Sequence, residues 1–506
     1  MRSSRPDLQD VVLVILDEDT SAVPIEAPAD HPPIPPRPAP PEARAVDRRP
    51  AVRRWRWPLV GAVVLLVLVT ANATITARGE RARLAALAGV PGILAPLDGP
   101  VEIVWGSELT SDAGGAESGG HLVGVDRGRD GRVDVVGVDV RTGETAWRVA
   151  ARPPGAVKGW ASCATPEPAA SAPLAAAPVV ACVVADEVVI TAENTAGYVF
   201  FPTRARLLVI ETATGLLVSD APTDPSTTIV ALGEDLVTTR IDADGRAHLA
   251  RTDPRGTTER WTFVSPDPVP MDDSRQRIVT VTVVDGLVVA DGGPTWVLSG
   301  DGEILDTWTP DPSTELGGQV EVLRGGRLIA EPVSGGHRRP SGTRVLDPTT
   351  GGSFIADGHP VSLAIDDGSL ADLVLLRSSD RKELIAHDVD SGRVRWTIPD
   401  SAGGGTAIVG ARVLRIEAGE LQSLDGATGT LLWATAVDLA GQSPLLTDGR
   451  VLVLTAGAPD RQSELAAYGL DDGRRRWATA VPWDLYPVSL DRRLYGWTGP
   501  GLVGFG

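Results

Sequence analysis

The stretch Asp425-Gly-Ala-Thr-Gly429-Thr-Leu-Leu-Trp433 decides how the rest of this 506-residue chain is read. An Asp followed by a Thr-Gly pair is turn chemistry. The carboxylate accepts backbone N–H groups across the bend, Thr does so more weakly, and Gly supplies the positive φ that lets a hairpin reverse. The Trp, four residues after the Gly, falls early in the next strand, where a large flat side chain can wedge against a neighbouring sheet and bury much area.

Working outward, the same spacing recurs in Asp139-Val-Arg-Thr-Gly143 with Trp147 and in Asp388-Val-Asp-Ser-Gly392 with Trp396. Leu470-Asp-Asp-Gly473 with Trp477 keeps the Gly-to-Trp spacing but has Gly469 where the Asp belongs. Glu211-Thr-Ala-Thr-Gly215 and Asp347-Pro-Thr-Thr-Gly351 keep the turn without the Trp, and two worn copies remain at Gly256 with Trp261 and at Gly302 with Trp308. Successive glycines are 37 to 49 residues apart, except for one interval of 72. That period belongs to four-stranded propeller blades. It also accounts for the unusual aromatic usage, in which 13 Trp outnumber 5 Phe and 4 Tyr. Between motifs lie short Val/Leu/Ile strands broken by Asp-Gly, Gly-Gly and Pro turns, with no long helical period. The fold expected for residues 101–506 is an all-β propeller of eight blades, with seven as the alternative. Ring closure is assigned to Asp98-Gly-Pro-Val-Glu-Ile-Val-Trp105 as an outer-strand segment against the C-terminal strands near Pro487–Leu490, Leu494–Trp497 and Leu502–Phe505. This closure is not counted as a ninth blade.

These turn-plus-Trp units resemble the PQQ-like repeat of quinoprotein-type β-propellers, a group that includes outer-membrane assembly lipoproteins. The resemblance covers roughly residues 100–506. It implies the propeller architecture but no single chemistry, since some members hold pyrroloquinoline quinone and Ca²⁺ while many bind no cofactor.

Ahead of the propeller the chain changes character. Residues 57–77 carry no charge, and Leu59 to Val69 is almost wholly aliphatic, which is long enough to cross a hydrocarbon core of about 30 Å. Arg48, Arg49, Arg53, Arg54 and Arg56 crowd its N-terminal side, and Trp55 and Trp57 stand where interfacial aromatics belong. The expectation is one membrane span at 57–77 with the N-terminus cytoplasmic and the propeller extracytoplasmic. A cleaved signal peptide is the rival reading, because Ala71-Asn-Ala73 mimics a cleavage site, but the leader is far longer than an ordinary n-region. Residues 1–56 read as a disordered cytoplasmic tail with the Pro-rich run Pro32–Pro41, and residues 78–100 as a stalk.

Composition bounds the chemistry. The formal net charge is -19, and acids and bases balance over residues 1–56, so the excess belongs to the remainder. That argues against nucleic acid as a partner. Two cysteines exclude a four-Cys zinc site and an iron–sulfur cluster. Cys163 and Cys182 flank an Ala/Pro-rich insertion in the long interval, and outside the membrane one disulfide is the simplest expectation. They are not adjacent, so the vicinal disulfide that some quinoprotein alcohol dehydrogenases hold against their cofactor is absent. Asp126, Asp130 and Asp134 form a weak Ca²⁺-loop candidate, with Gly128 in the second ligand position and arginines interspersed. An Asp-Gly hairpin is the preferred reading. The histidines at 121, 248, 337, 359 and 387 show no metal-binding spacing, and there is no nucleophile elbow or P-loop. The repeated Asp139, Asp347, Asp388 and Asp425 read as turn-forming rather than catalytic.

The functional expectation is a non-catalytic binding or scaffold module at the membrane, in envelope assembly or sensing, without a cofactor. Its partner is an unidentified protein or envelope polymer at the propeller faces. The alternative is a membrane-tethered dehydrogenase using pyrroloquinoline quinone and Ca²⁺.

Overall fold

The computed structural model describes Leu65 and residues 78–506, apart from 110–115, 129–131, 153–158, 167–177, 192–197, 272–276, 309–318, 324–326, 332–341, 348–349, 402–403, 439–443, 458–462 and 500. The chain divides into two compact units, Met1–Ala73 and Thr74–Gly506. The expected cytoplasmic tail lies outside the described residues, as does the expected span but for Leu65. Among the described residues no helix is long and apolar enough to cross a membrane.

The second unit is a β-propeller of nine blades, not eight or seven. Eight blades run in chain order over residues 116–152, 159–223, 228–268, 280–308, 319–356, 359–399, 406–436 and 446–481. The ninth contains Tyr486–Leu490, Arg493–Thr498 and Gly501–Phe505, and Ile103–Ser107 from the other end of the chain is its outer strand. The miscount has a physical cause. The Asp-x-x-Thr-Gly unit is the hairpin between the third and fourth strands of a blade, so eight copies mark eight blades. In the ninth blade those two strands come from opposite chain ends, and no hairpin exists to carry the motif. Instead Glu102 and Gly506 exchange backbone hydrogen bonds, each 3.1 Å long, and the sheet edge is sealed without a covalent turn. The interval of 72 residues is one enlarged blade, in which Val179–Thr191 and Tyr198–Glu211 are unusually long strands.

One inner strand departs from the simple meander. In the sixth blade His359–Pro360 pairs within its own sheet, after which Leu363–Asp366 crosses over and pairs in parallel with Thr406–Val409 of the seventh. The core is distributed between blades. Strand residues such as Val123, Val135, Val180, Cys182, Leu208 and Ile210 are fully buried where the first and second sheets face each other.

Where the sequence suggests a stalk, the described chain is packed against the propeller. A helix at 78–87 ends in Leu87, and Leu87, Val90 and Ile93 join the core formed by the seventh and eighth blades. Leu94 is fully buried and donates its N–H to the Thr447 carbonyl at 2.7 Å, while the Leu97 N–H reaches an Asp448 carboxylate oxygen at 2.9 Å. The Arg83 guanidinium, paired with Glu80, donates to the Gly449 carbonyl at 2.7 Å. These residues fasten the segment to the turn between the first two strands of the eighth blade.

Candidate functional site

The repeated acids come first, because they are the residues whose regularity invites a catalytic reading. In the first blade one Asp139 carboxylate oxygen accepts the N–H groups of Arg141 and Thr142 at 2.8 and 3.1 Å, and the Gly143 N–H donates to the Asp139 carbonyl at 2.9 Å. Asp425 accepts the N–H of Thr428 at 2.9 Å and its hydroxyl at 2.7 Å. Asp388 takes the same two donors from Ser391 and adds the Arg395 guanidinium at 2.6 Å. That guanidinium, with the Ser391 hydroxyl and N–H, holds the Asp388 carboxyl well below the usual carboxylate range. The N–H of Arg141 lowers Asp139 likewise, and the N–H of Arg474 lowers Asp472 in the copy that lacks the leading Asp. Each of these carboxylates is engaged by the donors of its own turn.

The tryptophans use these turns as landing sites, one blade along. Trp396 on the sixth blade donates its indole N–H to the Gly426 carbonyl of the seventh at 2.8 Å and lies on Gly429. A Cβ at Gly429, where φ is +69°, would come within 2.8 Å of the indole ring. Trp433 repeats the arrangement on the Leu470 carbonyl at 3.1 Å over Gly473, Trp147 on Thr212 at 2.8 Å over Gly215, and Trp261 on Gly300 at 2.8 Å over Gly302. Trp105 on the closing strand does the same to the first blade, donating to the Val140 carbonyl at 3.0 Å over Gly143. In the fifth blade Phe354 takes the place of the Trp, against Gly392. Trp308 instead meets the Arg344 guanidinium 5.4 Å from its ring centre, and no atom of the described residues lies within 4 Å of the Cβ position of Gly351. Trp477 is half-buried against the core shared by the last two blades, because the ninth blade has no repeat turn to receive it. Sequence spacing shows a Gly suited to a turn. It does not show that the same Gly must be bare to seat the preceding blade's indole.

The Ca²⁺-loop candidate is divided. Asp130 lies outside the described residues. Asp126 and Asp134 stand directly opposite each other on adjacent strands, and the Arg148 guanidinium bridges them, 2.7 Å from Asp134. Arg132 pairs with the same Asp134 oxygen at 3.0 Å. A guanidinium thus occupies the place between the two carboxylates where a cation would sit. Among the described residues no group of three or more His, Cys, Asp or Glu side chains converges as a metal site. His248 sits 2.6 Å from Asp242, and His387 hydrogen-bonds the Gly392 carbonyl at 3.0 Å while stacking on Phe354. His337 lies outside the described residues.

Cys163 and Cys182 form a disulfide between directly opposed residues of neighbouring strands in the second blade, with Cα atoms 4.1 Å apart.

A cleft of about 550 Å³ opens on the ninth blade, at the end of the strands opposite the Asp-x-x-Thr-Gly turns. Sequence reasoning missed it. It joins the end of the closing strand (Gly106, Ser107, Glu108) to the connection between the last two blades (Pro482, Trp483, Asp484) and to Thr498 and Gly501–Val503. Gly501 lets the walls meet, since a Cβ there would lie 2.1 Å from the Ser107 carbonyl oxygen. Asp484 is fixed by accepting the Gly499 N–H at 2.6 Å, and the Thr498 hydroxyl donates to the Gly501 carbonyl at 2.8 Å. Trp483 is 78% exposed and Glu108 is exposed. Among the described residues no Lys, Arg or His lines the cleft. The one local signal was a Trp, 483, that follows no repeat turn.

Residues 340–485 match the family model described as outer membrane protein assembly factor BamB, and with it the PQQ-like propeller repeat read from the sequence is found over that stretch. Among solved structures, BamB from Moraxella catarrhalis is similar over 80% of this chain and 99% of its own, at 12% identity and a TM-score of 0.38. Quinohemoprotein alcohol dehydrogenase from Comamonas testosteroni is similar over 80% of this chain and 76% of its own, at 13% identity and a TM-score of 0.36. Dihydro-heme d1 dehydrogenase NirN is similar over 72% and 74%, at 13% identity and a TM-score of 0.39. No curated protein matches the chain.

Proposed function

We propose that this chain is a membrane-anchored, extracytoplasmic propeller that serves as a non-catalytic binding or scaffold module in the envelope. The observation that carries the reading is the fate of the repeated acids. Asp139, Asp388 and Asp425 are engaged by the N–H groups of their own turns, and Asp126 and Asp134 by Arg148. These acids, whose pattern invites a catalytic or Ca²⁺-binding reading, are taken up in turns and ion pairs, which supports the binding-module reading. What the ring then offers is rigid, loop-bearing faces suited to a macromolecular partner. The uncharged stretch 57–77 and the arginines before it support the anchoring and its direction.

The rival reading, a quinoprotein dehydrogenase, supplies the test. Full-length protein in detergent is given pyrroloquinoline quinone and Ca²⁺, with an artificial electron acceptor and a panel of alcohols and aldoses. The expected result is neither stoichiometric cofactor binding nor substrate-dependent acceptor reduction; both together reject the binding-module reading. Topology is checked separately, by a reporter active only in the cytoplasm fused after Gly506. It should be silent, and activity there overturns the orientation.

A further inference from the structure

We propose that the cleft on the ninth blade binds a cationic side chain, an arginine or lysine carried on an extended segment of a partner protein. The inference deepens the binding-module reading and rests on it. The argument begins with Trp483. A Trp left 78% exposed contributes little to folding, yet it presents a broad π face beside two carboxylates, Glu108 and Asp484, that line the same cleft. The negative face of an indole attracts a guanidinium or ammonium, and more strongly where water is partly excluded. Carboxylates alongside add charge-assisted hydrogen bonds, bidentate for arginine. Elsewhere in the propeller, acids meet arginines: Asp134 meets Arg148, Asp235 meets Arg251, and Asp400 meets Arg377. Among the described residues the cleft has two acids and no basic residue in its lining, so an incoming cation is the charge that complements it.

The rest of the lining fits a side chain with an apolar stem. Val503, Gly106 and Pro482 provide apolar surface against which the methylenes of Arg or Lys can lie, and Ser107 and Thr498 are the polar neighbours. A volume of about 550 Å³ accommodates one long side chain and the backbone flanking it. The net charge of -19 favours the approach of a basic segment over an acidic one.

The test uses full-length protein in nanodiscs of phosphatidylcholine, a lipid with no net charge. The probe is a fluorescein-labelled decapeptide of Gly, Ser and Val carrying two arginines, paired with the same peptide bearing citrulline in their place. Binding is read by anisotropy. Wild type should bind the arginine peptide saturably and the citrulline peptide at least tenfold more weakly. Trp483→Ala should weaken binding about tenfold and Glu108→Gln about threefold, whereas Glu144→Gln, an exposed acid at the opposite end of the strands, should change nothing. Both cleft variants alter exposed side chains, and an unchanged melting curve checks that each folds. Equal binding of the two peptides, no effect of Trp483→Ala, equal effects of Glu108→Gln and Glu144→Gln, or no binding at all each overturns the assignment. So does Trp483-dependent binding of a cell-wall oligosaccharide in place of the peptide. Crosslinking in intact membranes separates the two levels. If Trp483→Ala leaves partner capture intact, the cleft assignment fails and the binding-module reading stands. If cofactor-dependent turnover appears while the peptide results hold, the binding-module reading fails and the cleft assignment stands.

Discussion

Replacing Trp396 by Ala tests the seam mechanism most directly. The side chain is 7% exposed, so a surface of about 200 Å² is removed from water, worth up to about 5 kcal/mol at about 25 cal/mol per Å². Alanine retains a little of this, but a cavity forms between the sixth and seventh blades. Its indole donor to the Gly426 carbonyl is also lost, at a further cost of about 1 kcal/mol. Because area burial counted against an extended unfolded chain is an upper bound, the expected destabilisation is about 4 kcal/mol, inside the range for large aromatic truncations. With a urea dependence of about 3 kcal/mol per molar, the unfolding midpoint should fall by about 1 M. Trp396→Phe separates the contributions: the ring remains and the donor goes, so the cost should be about 1–2 kcal/mol. Trp483→Ala is the internal control, since its ring is exposed, and should stay within about 0.5 kcal/mol of wild type. The assay is urea unfolding of the full chain in detergent, followed by far-ultraviolet circular dichroism. A near-neutral Trp396→Ala, or a Trp483→Ala as costly as it, refutes the argument that buried indoles seated on the next blade's turn hold the ring.

Three further outcomes follow from the geometry. The oxidised protein should show no free thiol before reduction, and reducing the Cys163–Cys182 bond should cost roughly 3 kcal/mol, read as a lower midpoint; two thiols titrating in the native oxidised sample would contradict the pairing. Asp388 has its pKa depressed by Arg395 and Ser391, so its stabilising contribution is present above the unfolded-state value of about 4 and is lost as pH falls. Asp388→Asn should therefore be less stable than wild type at pH 7, with the gap narrowing below about pH 4; a gap that widens on acidification reverses the sign. Leu94→Ala, at a fully buried position, should cost about 2–4 kcal/mol, because the segment is part of the core of the last blades. A neutral result there would mean that the segment is not docked in solution.

Much of this was decided by local chemistry and is therefore visible in the chain itself. A hairpin needs its acceptor, its hydroxyl and its glycine within five residues, so Asp425 to Gly429 can be recognised without knowing what it touches, and the repeat period follows from recognition of several such turns. The single disulfide was also within reach, because only two cysteines were available. Blade number was not. The closing blade joins Ile103–Ser107 to Gly501–Phe505, and a pairing between residues some 400 positions apart leaves no local mark. Asp126, Asp130 and Asp134 look alike along the chain, and only the fold places the Arg148 guanidinium between two of them. Trp396 and Trp483 are the same residue type. The first is sealed against Gly429 and the second stands open beside Glu108 and Asp484, because strand pairing and ring closure set what lies opposite each ring. Turn chemistry acts over a few bonds and is written in the sequence. Burial and charge pairing act through space, and only the closed ring assigns them.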